Sequence, residues 1–171
     1  SAAAPPNSPY APPAADVDET LPLHGELKPL SVSGRIGRLR YIAWSMVIMF
    51  AGAGLFGLAA IIMAMSPTAG LVCMALAGVA IAVVSVLIGV QRLHDFGWSG
   101  WLILLNLVPV IGSLFPFAML LVPGTKEANR YGSPPPPNSR AVKLLAALWL
   151  VLILVGVAAL PTLLSLSREI G

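Results

Sequence analysis

Two long runs without charged residues constrain the fold of this chain more than any other feature. Residues 41–91 contain no Lys, Arg, Asp or Glu, and neither do residues 96–125. An Arg-Leu-His-Asp sequence at 92–95 separates the runs, and two tryptophans follow it. A charge at the centre of a bilayer costs about 2.5–3.5 kcal/mol on insertion scales, whereas Trp concentrates at the membrane–water interface. The sequence therefore predicts an integral membrane protein in which residues 91–101 form an interfacial turn.

The composition excludes an ordinary soluble domain. Only 10% of the 171 residues are charged, whereas soluble domains carry about 25%, and the mean hydropathy is +0.88. Residues 1–27 have a net charge of −4 and the remainder has +7. Because the basic residues flank the apolar runs, the pI of about 9.4 indicates a positive-inside membrane orientation rather than nucleic-acid binding.

The residues that commonly catalyse reactions or bind metals do not form a recognisable set. Cys73 is the single cysteine, so one chain cannot form a disulfide framework. His24, His94 and Cys73 belong to different segments and lack metal-ligand spacing. No catalytic triad, phosphate loop or dinucleotide motif is present. We therefore expect no enzyme activity, no metal and no cofactor.

The N-terminal segment, residues 1–33, is rich in Pro and Ala and acidic. Seven prolines fall within its first 29 residues and no hydrophobic period is visible. Such a segment buries too little apolar surface to offset its ordering entropy, which predicts a disordered tail. Three arginines before the first apolar run place this tail in the cytoplasm. We expect these arginines to contact anionic lipid headgroups, together with two interfacial aromatic residues: Arg35, Arg38, Arg40, Tyr41 and Trp44.

The first two spans are predicted at about 41–65 and 69–91, with a tight turn between them. Each is long enough to cross a hydrocarbon core of ~30 Å. Small residues recur at helical spacing in both spans, and such residues let membrane helices approach closely. We expect these stripes to face protein, in the same chain rather than in a second copy. Their main members are Gly57 in the first span and Gly78, Ala82, Ser85 and Gly89 in the second.

The third apolar run, 98–122, is predicted to be broken, because Asn106, Pro109, Gly112, Ser113 and Pro116 interrupt its middle. It is either a kinked span or a re-entrant hairpin. If it crosses, basic residues divide five against four between the two sides. If it returns, eight lie on one side with only Arg168 opposite, so the positive-inside rule favours the re-entrant form.

These segments predict an all-α helical bundle of three full spans plus the broken third run. The organisation is a tail at 1–33, a membrane core at 34–138 and an extra C-terminal span within 139–171. That last span is predicted at about 142–166, ending or kinking near Pro161. A polar loop follows the broken run, and its motif residues are Pro123, Gly124, Asn129, Tyr131 and Gly132.

Several motifs occur together in one order along the chain. They are Gly34-Arg35-Ile36-Gly37-Arg38 with Tyr41, then Arg92, His94, Asp95, Gly97, Ser99, Gly100 and Trp101, then Pro109 with Gly112, and finally the loop motif. Over about residues 30–138 this set resembles domain of unknown function 805, a family of small bacterial inner-membrane proteins. The resemblance implies a multi-pass protein of the bacterial inner membrane, and it implies no activity.

The cluster at 92–95 allows two interpretations. His94 beside Asp95 is able to handle protons, but the spacing of Arg92 and Asp95 favours a structural ion pair across one helical turn. Three functions remain open. The first is a non-enzymatic interaction module that binds another membrane protein or a second copy of the chain. The second is a channel or transporter built on the Asn106–Pro116 region, and the third is a lipid-handling site at Arg92–Asp95. We expect anionic membrane lipids as partners and no nucleic acid.

Overall fold

The computed structural model describes residues 22–170, apart from the side chains at positions 163, 166, 169 and 170. Within this range the regular elements are all helical, which confirms the predicted all-α class. They are α1 (Arg38–Met65), α2 (Pro67–Asp95), a 3-10 helix (Gly100–Leu107), α3 (Ile111–Leu121) and α4 (Arg140–Ile170). Three segments are long and apolar enough to cross a membrane: α1, α2 and residues Arg140–Thr162 of α4.

Helices α1 and α2 form an antiparallel hairpin that turns at Ser66. The Ser66 N–H donates to the carbonyl of Ile62 at 2.8 Å, and Pro67 occupies the first position of α2, where its missing N–H leaves no bond unmade. With 28 and 29 residues, each helix is roughly 42 Å long. Both helices extend past the predicted spans of 41–65 and 69–91, because helical hydrogen bonding continues into the charged motifs.

The contact between α1 and α2 does not follow the predicted small-residue stripes. Gly57, Ala82 and Ser85 are exposed, and Gly78 is only partly buried. The buried small residues lie on another face: Gly52, Ala59, Gly70 and Ala77. At Gly52 the side chain of Ile81 comes so close that an added Cβ would be 2.9 Å from its Cδ1. The stripe prediction is therefore wrong for packing within the chain, since the helices join by fitting large side chains against small ones.

One member of the second stripe is buried against protein, but in an element other than α1. Gly89 is buried, and the side chain of Ile103 in the 3-10 helix lies against it. The 3-10 helix covers this face of α2 only near the end of α2. That limited cover is the physical reason why Gly89 is buried while Ser85, one turn earlier, is exposed.

The third apolar run consists of the 3-10 helix and α3, which are joined at Val108–Val110. Both outer ends of the run lie beside the C-terminal end of α2: Gly100 is next to Val90 and His94, and the Val122 carbonyl accepts a hydrogen bond from Arg92. The run therefore bends back on itself. With 8 and 11 residues, each limb is about 16 Å long, roughly half of a ~30 Å hydrocarbon core.

Two side chains near the bend donate hydrogen bonds to backbone carbonyls of the same run. The Asn106 side-chain amide donates to the Ile103 carbonyl at 2.9 Å, and the Ser113 hydroxyl donates to the Val110 carbonyl at 2.7 Å. Val110 has a φ of 67°, a region that β-branched residues rarely adopt. The polar residues that predicted a broken run thus bond to carbonyls of the broken segment, as irregular backbone in an apolar setting requires.

Helix α4 packs against the first turns of α1. Ala43 and Ala146 are fully buried, with exposures of 0% and 1%, and their small side chains allow the helices to approach closely. Trp149 lies beside this contact. The helix continues through Pro161 to Ile170, past the predicted span of 142–166. Of the two outcomes predicted near Pro161, an end or a kink, the end does not occur.

Residues 22–33 differ from the predicted disordered tail. The Gly25 N–H donates to the Pro134 carbonyl at 2.9 Å. The amide of Gln91, which is 1% exposed, donates to the carbonyls of Lys28 and Ser31 at 2.7 and 2.5 Å. A buried amide needs acceptors, and this stretch supplies them. Residues 1–21, the rest of the predicted tail, lie outside the described residues.

Candidate functional site

The site is built on the last turn of α2, which ends with hydrogen bonds that reverse the chain. The Gly97 N–H donates to the His94 carbonyl at 3.0 Å, and the Trp98 N–H donates to the Leu93 carbonyl at 3.0 Å. This pattern requires a left-handed residue after the helix, and Gly97 provides it with a φ of 76°. The termination turns the chain back so that Gly100 lies beside Val90 and His94 of α2, and it leaves Arg92 and Asp95 on the final turn of the helix.

Asp95 accepts hydrogen bonds from two arginines. Its Oδ2 is 2.6 Å from Nη1 of Arg92, three residues earlier on the same helix. Its Oδ1 is 3.1 Å from Nη2 and 3.3 Å from Nε of Arg35, which precedes α1. The three side chains are 0–3% exposed. We call Arg35, Arg92 and Asp95 the clamp. The predicted pairing of Arg92 with Asp95 is present, and Arg35 is its additional member.

Arg92 also binds the C-terminal end of α3. Its Nε donates to the Met119 carbonyl at 2.8 Å and its Nη2 donates to the Val122 carbonyl at 2.6 Å. Carbonyls at a helix C-terminus carry partial negative charge and attract cations. The guanidinium carbon also lies 4.3 Å from the centre of the Phe96 ring, within the range of a cation–π interaction. Arg92 therefore fixes the returning limb of the third run.

Arg35 binds the polar loop through backbone carbonyls. Its Nη1 donates to the carbonyls of Glu127 and Gly132 at 2.9 and 3.0 Å, and its Nη2 donates to the Thr125 carbonyl at 2.5 Å. The clamp contains two cations and one anion, so a formal charge of +1 is buried. A buried charge is tolerated only when it is paired and hydrogen-bonded, and these loop carbonyls together with those of α3 meet that need.

The loop rests directly on Asp95, and we call residues 123–133 the platform. The Thr125 N–H donates to the Asp95 backbone carbonyl at 2.9 Å. A Cβ at Gly124 would overlap the Asp95 carboxylate, which explains a glycine there. The Asn129 amide donates to the His94 carbonyl at 2.9 Å, and the φ of 111° at Gly132 closes the loop on Arg35. The loop motif is thus the set of residues that seats the platform on the clamp.

His94 takes no part in the clamp. Its ring stacks on Tyr131 with a centroid separation of 3.8 Å and an angle of 8°. Its Nδ1 is buried and has no hydrogen-bond partner within residues 22–170. His94 and Tyr131 line an open groove together with Ser99, Gly100 and Trp101 of the interfacial motif. Apart from Gly97, which ends α2, the predicted motif therefore divides into clamp residues and groove residues.

Only one of the three arginines predicted to meet lipid headgroups is exposed. Arg38 is exposed and donates to the Leu121 carbonyl at 3.2 Å. Arg35 and Arg40 are buried, with exposures of 3% and 4%, and Arg40 donates to the carbonyls of Pro136 and Pro137. The lipid prediction is wrong for these two, because their guanidinium groups bind backbone carbonyls of the chain. Tyr41 and Trp44 are partly buried and pack on the two core clusters.

Two residues that hold this region were not singled out from the sequence. Gln91 binds the 28–31 segment, and the Ile36 N–H donates to the Gln91 backbone carbonyl at 3.3 Å. Thr125 binds Asp95 and Arg35 through its backbone and hydroxyl. Gln91 is a polar residue at the end of an apolar run, and that position is a signal for a buried hydrogen-bonding role. Within residues 22–170 no three His, Cys, Asp or Glu side chains are placed to hold a metal ion.

Comparison with known proteins gives one family match. A family model described as protein of unknown function (DUF805) matches residues 29–133. This range contains the clamp, the platform and both limbs of the third run. No curated protein and no solved structure gives a significant match.

Proposed function

Because this chain belongs to the DUF805 family, for which no function is known, its role is inferred from the geometry, and we propose that it is a non-enzymatic membrane interaction module. The helices hold the platform at one membrane surface, where a partner protein binds it. The observation that carries this proposal is the saturation of the clamp. All six guanidinium nitrogens of Arg35 and Arg92 have oxygen partners, and both Asp95 oxygens accept hydrogen bonds.

A saturated, buried clamp supports a structural role over catalysis. A general acid or base must reach the proton that it transfers, whereas the Asp95 side chain is 3% exposed and lies under Gly124. The exposed residues of the platform include Lys126, Glu127, Ala128 and Arg130. These side chains are free to meet a partner while the clamp holds the backbone beneath them.

The distribution of charge supports placing the platform in the cytoplasm. All Lys and Arg residues except Arg168 lie at the platform end of the helices, as the positive-inside rule expects of a cytoplasmic face. The return of the third run to this end supports a re-entrant hairpin. We therefore propose a multi-pass protein of the bacterial inner membrane with its N-terminus in the cytoplasm.

The channel alternative has less support. Asn106 and Ser113 were the polar side chains available for a route, and both bond to carbonyls of their own segment. A conducting path needs polar groups that face a watery lumen. A pore built on this bend would therefore have to take its polar lining from elsewhere.

Site-specific photocrosslinking tests the interaction module. A photoreactive amino acid at Ala128 should give a discrete protein adduct in native membranes, and the adduct should persist after solubilisation in detergent. The matched control is the same amino acid at Thr68, which is exposed in the turn at the opposite end of the helices. Equal adduct patterns at both positions, or none at Ala128, Lys126 and Arg130, would overturn the proposal.

Cysteine labelling tests the orientation. In a Cys73→Ser background, Ala128→Cys and Thr68→Cys should be modified from opposite sides of the membrane, and only Thr68→Cys should react from the periplasm of intact cells. Modification of Ala128→Cys from the periplasm would show that the platform faces outward.

A further inference from the structure

An open groove of about 540 Å³ lies beside the clamp, between the last turns of α2 and the 3-10 helix. Its volume falls within the range of ~300–1,000 Å³ that is usual for ligand sites. One wall consists of Val86 and Val90 of α2, and the other consists of Ile103 and Leu104 of the 3-10 helix. The groove is separate from the clamp, whose side chains do not line it.

The groove has a polar end and an apolar end. His94 and Tyr131 line the polar end, and the Arg130 guanidinium lies 4.8 Å from the centre of the Tyr131 ring. The His94 Nε2 faces Gly100, where an added Cβ would be 3.1 Å from it. From His94 to Val86 the groove follows α2 for eight residues, which corresponds to about 12 Å along the helix axis.

The polar and apolar ends of the groove are arranged like the headgroup and the acyl chains of a membrane lipid. Its apolar end opens on the outer surface of α2, where Val86 is 45% exposed, and Leu104 of the opposite wall is 51% exposed. Both residues belong to apolar segments, and α2 is long and apolar enough to cross a membrane, where acyl chains would surround this face. Its polar end lies at the level of the platform, where the cation Arg130 is exposed. A polar peptide would have to enter lipid to fill the apolar end.

We propose that this groove binds one anionic phospholipid, with an acyl chain between α2 and the 3-10 helix and the phosphate at Arg130, Tyr131 and His94. The occupant follows from charge complementarity at the polar end and from the apolar walls below it. The site goes beyond the proposed partner interaction and is argued from different residues, with Arg130 as the one residue that both proposals use.

Native mass spectrometry of the detergent-purified chain tests the proposal, with phosphatidylglycerol and phosphatidylcholine as probes. The wild-type chain should retain one phosphatidylglycerol more tightly than further lipids. Val86→Trp fills the groove and should weaken this binding by at least about tenfold. Val83→Trp is the matched control, because Val83 is 52% exposed on the same helix and does not line the groove.

A second pair of variants tests the headgroup end without altering the walls. Arg130→Gln should weaken phosphatidylglycerol binding by roughly fivefold, as expected for the loss of one basic residue near a lipid charge. Lys126→Gln, on the same loop, should leave the binding within about twofold of the wild type. Leu104→Trp repeats the filling test from the opposite wall. The proposal is overturned by equal effects of Val86→Trp and Val83→Trp, or by Arg130→Gln binding as the wild type does.

Discussion

The two ends of the helical bundle are held together by different kinds of interaction. At the platform end, segments far apart in sequence meet around Asp95 through ionic and backbone hydrogen bonds. At the opposite end, α1 and α2 meet at Ser66 through adjacent backbone, with Gly70 packed against Met63. A contact between neighbouring residues needs no charge to specify it. Contacts between residues 60 or more positions apart need a specific partner, and the clamp provides it.

Replacing Asp95 should produce the largest difference between the ends. Asp95→Ala leaves two buried guanidinium groups without a carboxylate, and removal of one partner from a buried ion pair costs about 3–5 kcal/mol. Thermal or denaturant unfolding in detergent measures this loss, and membrane accumulation should fall with it. Thr68→Ala, at the opposite end, should change stability by less than about 0.5 kcal/mol.

The double variant Arg35→Ala/Asp95→Ala adds a check on the clamp. If the two residues act as a pair, the double variant should lose less stability than the sum of the single variants. Strict additivity would show that the ion pair does not couple the segment before α1 to α2.

Gly124→Ala should cause the next largest loss of stability, because it disturbs the contact between the platform and Asp95. The added methyl group would overlap the Asp95 carboxylate, and overpacking of this kind costs roughly 1–3 kcal/mol. Gly54→Ala is the control, because no atom lies within 4 Å of the Cβ position there. The same unfolding assay compares the two variants, and equal stability of both would show that the platform does not rest on Asp95.

Gly70→Ala makes the corresponding test at the opposite end. A Cβ at Gly70 would collide with the Met63 backbone, so a loss of roughly 1–3 kcal/mol is expected there as well. Gly57→Leu should be tolerated within about 0.5 kcal/mol, since Gly57 has open space around it. If Gly57→Leu lost stability and Gly70→Ala did not, the helices would pack along the predicted small-residue stripes after all.

Among the variants that are expected to lose stability, His94→Gln should have the smallest effect. It removes a stacked ring pair, which contributes about 0.5–1.5 kcal/mol beyond its buried area, and leaves the clamp intact. Accumulation in membranes and any cellular phenotype should remain close to the wild type. A His94→Gln protein that is fully folded but as defective as a gene deletion would instead assign His94 a working role in proton transfer.

The residues that sequence reasoning placed correctly are those whose partners are near in the chain. Arg92 and Asp95 are three residues apart, so helical geometry alone predicts their contact. The all-α class followed from the length of the charge-free runs. The positions of Arg35 and Arg40 beside an apolar run predicted only the orientation of the chain in the membrane. Nothing near them in the sequence identifies their partners, the Asp95 carboxylate 60 residues later and the Pro136 carbonyl 96 residues later.

The stripe prediction shows a second limit of local pattern. Small residues at helical spacing show which face of a helix is able to approach a neighbour, but they do not fix how the helix is rotated. In α2 the buried face along α1 carries Gly70 and Ala77, so Ala82 and Ser85 face outward. The 3-10 helix covers the stripe only near Gly89. Which face of a helix another segment covers, and over what length, is long-range information that a single sequence does not contain.

The clamp also has a consequence for the order of events during synthesis. Arg35, Arg92 and Asp95 are made before every carbonyl that completes their bonding in α3 and the platform, from Met119 to Gly132. At roughly 5–20 residues per second, the ribosome needs a few seconds to make the 37 residues that follow Asp95 and end at Gly132. Until α3 and the platform are in place, the two guanidinium groups are incompletely bonded, and headgroups or water must solvate them. A released chain truncated before Met119 should therefore leave the Arg92 position accessible to labelling, whereas the complete chain should protect it.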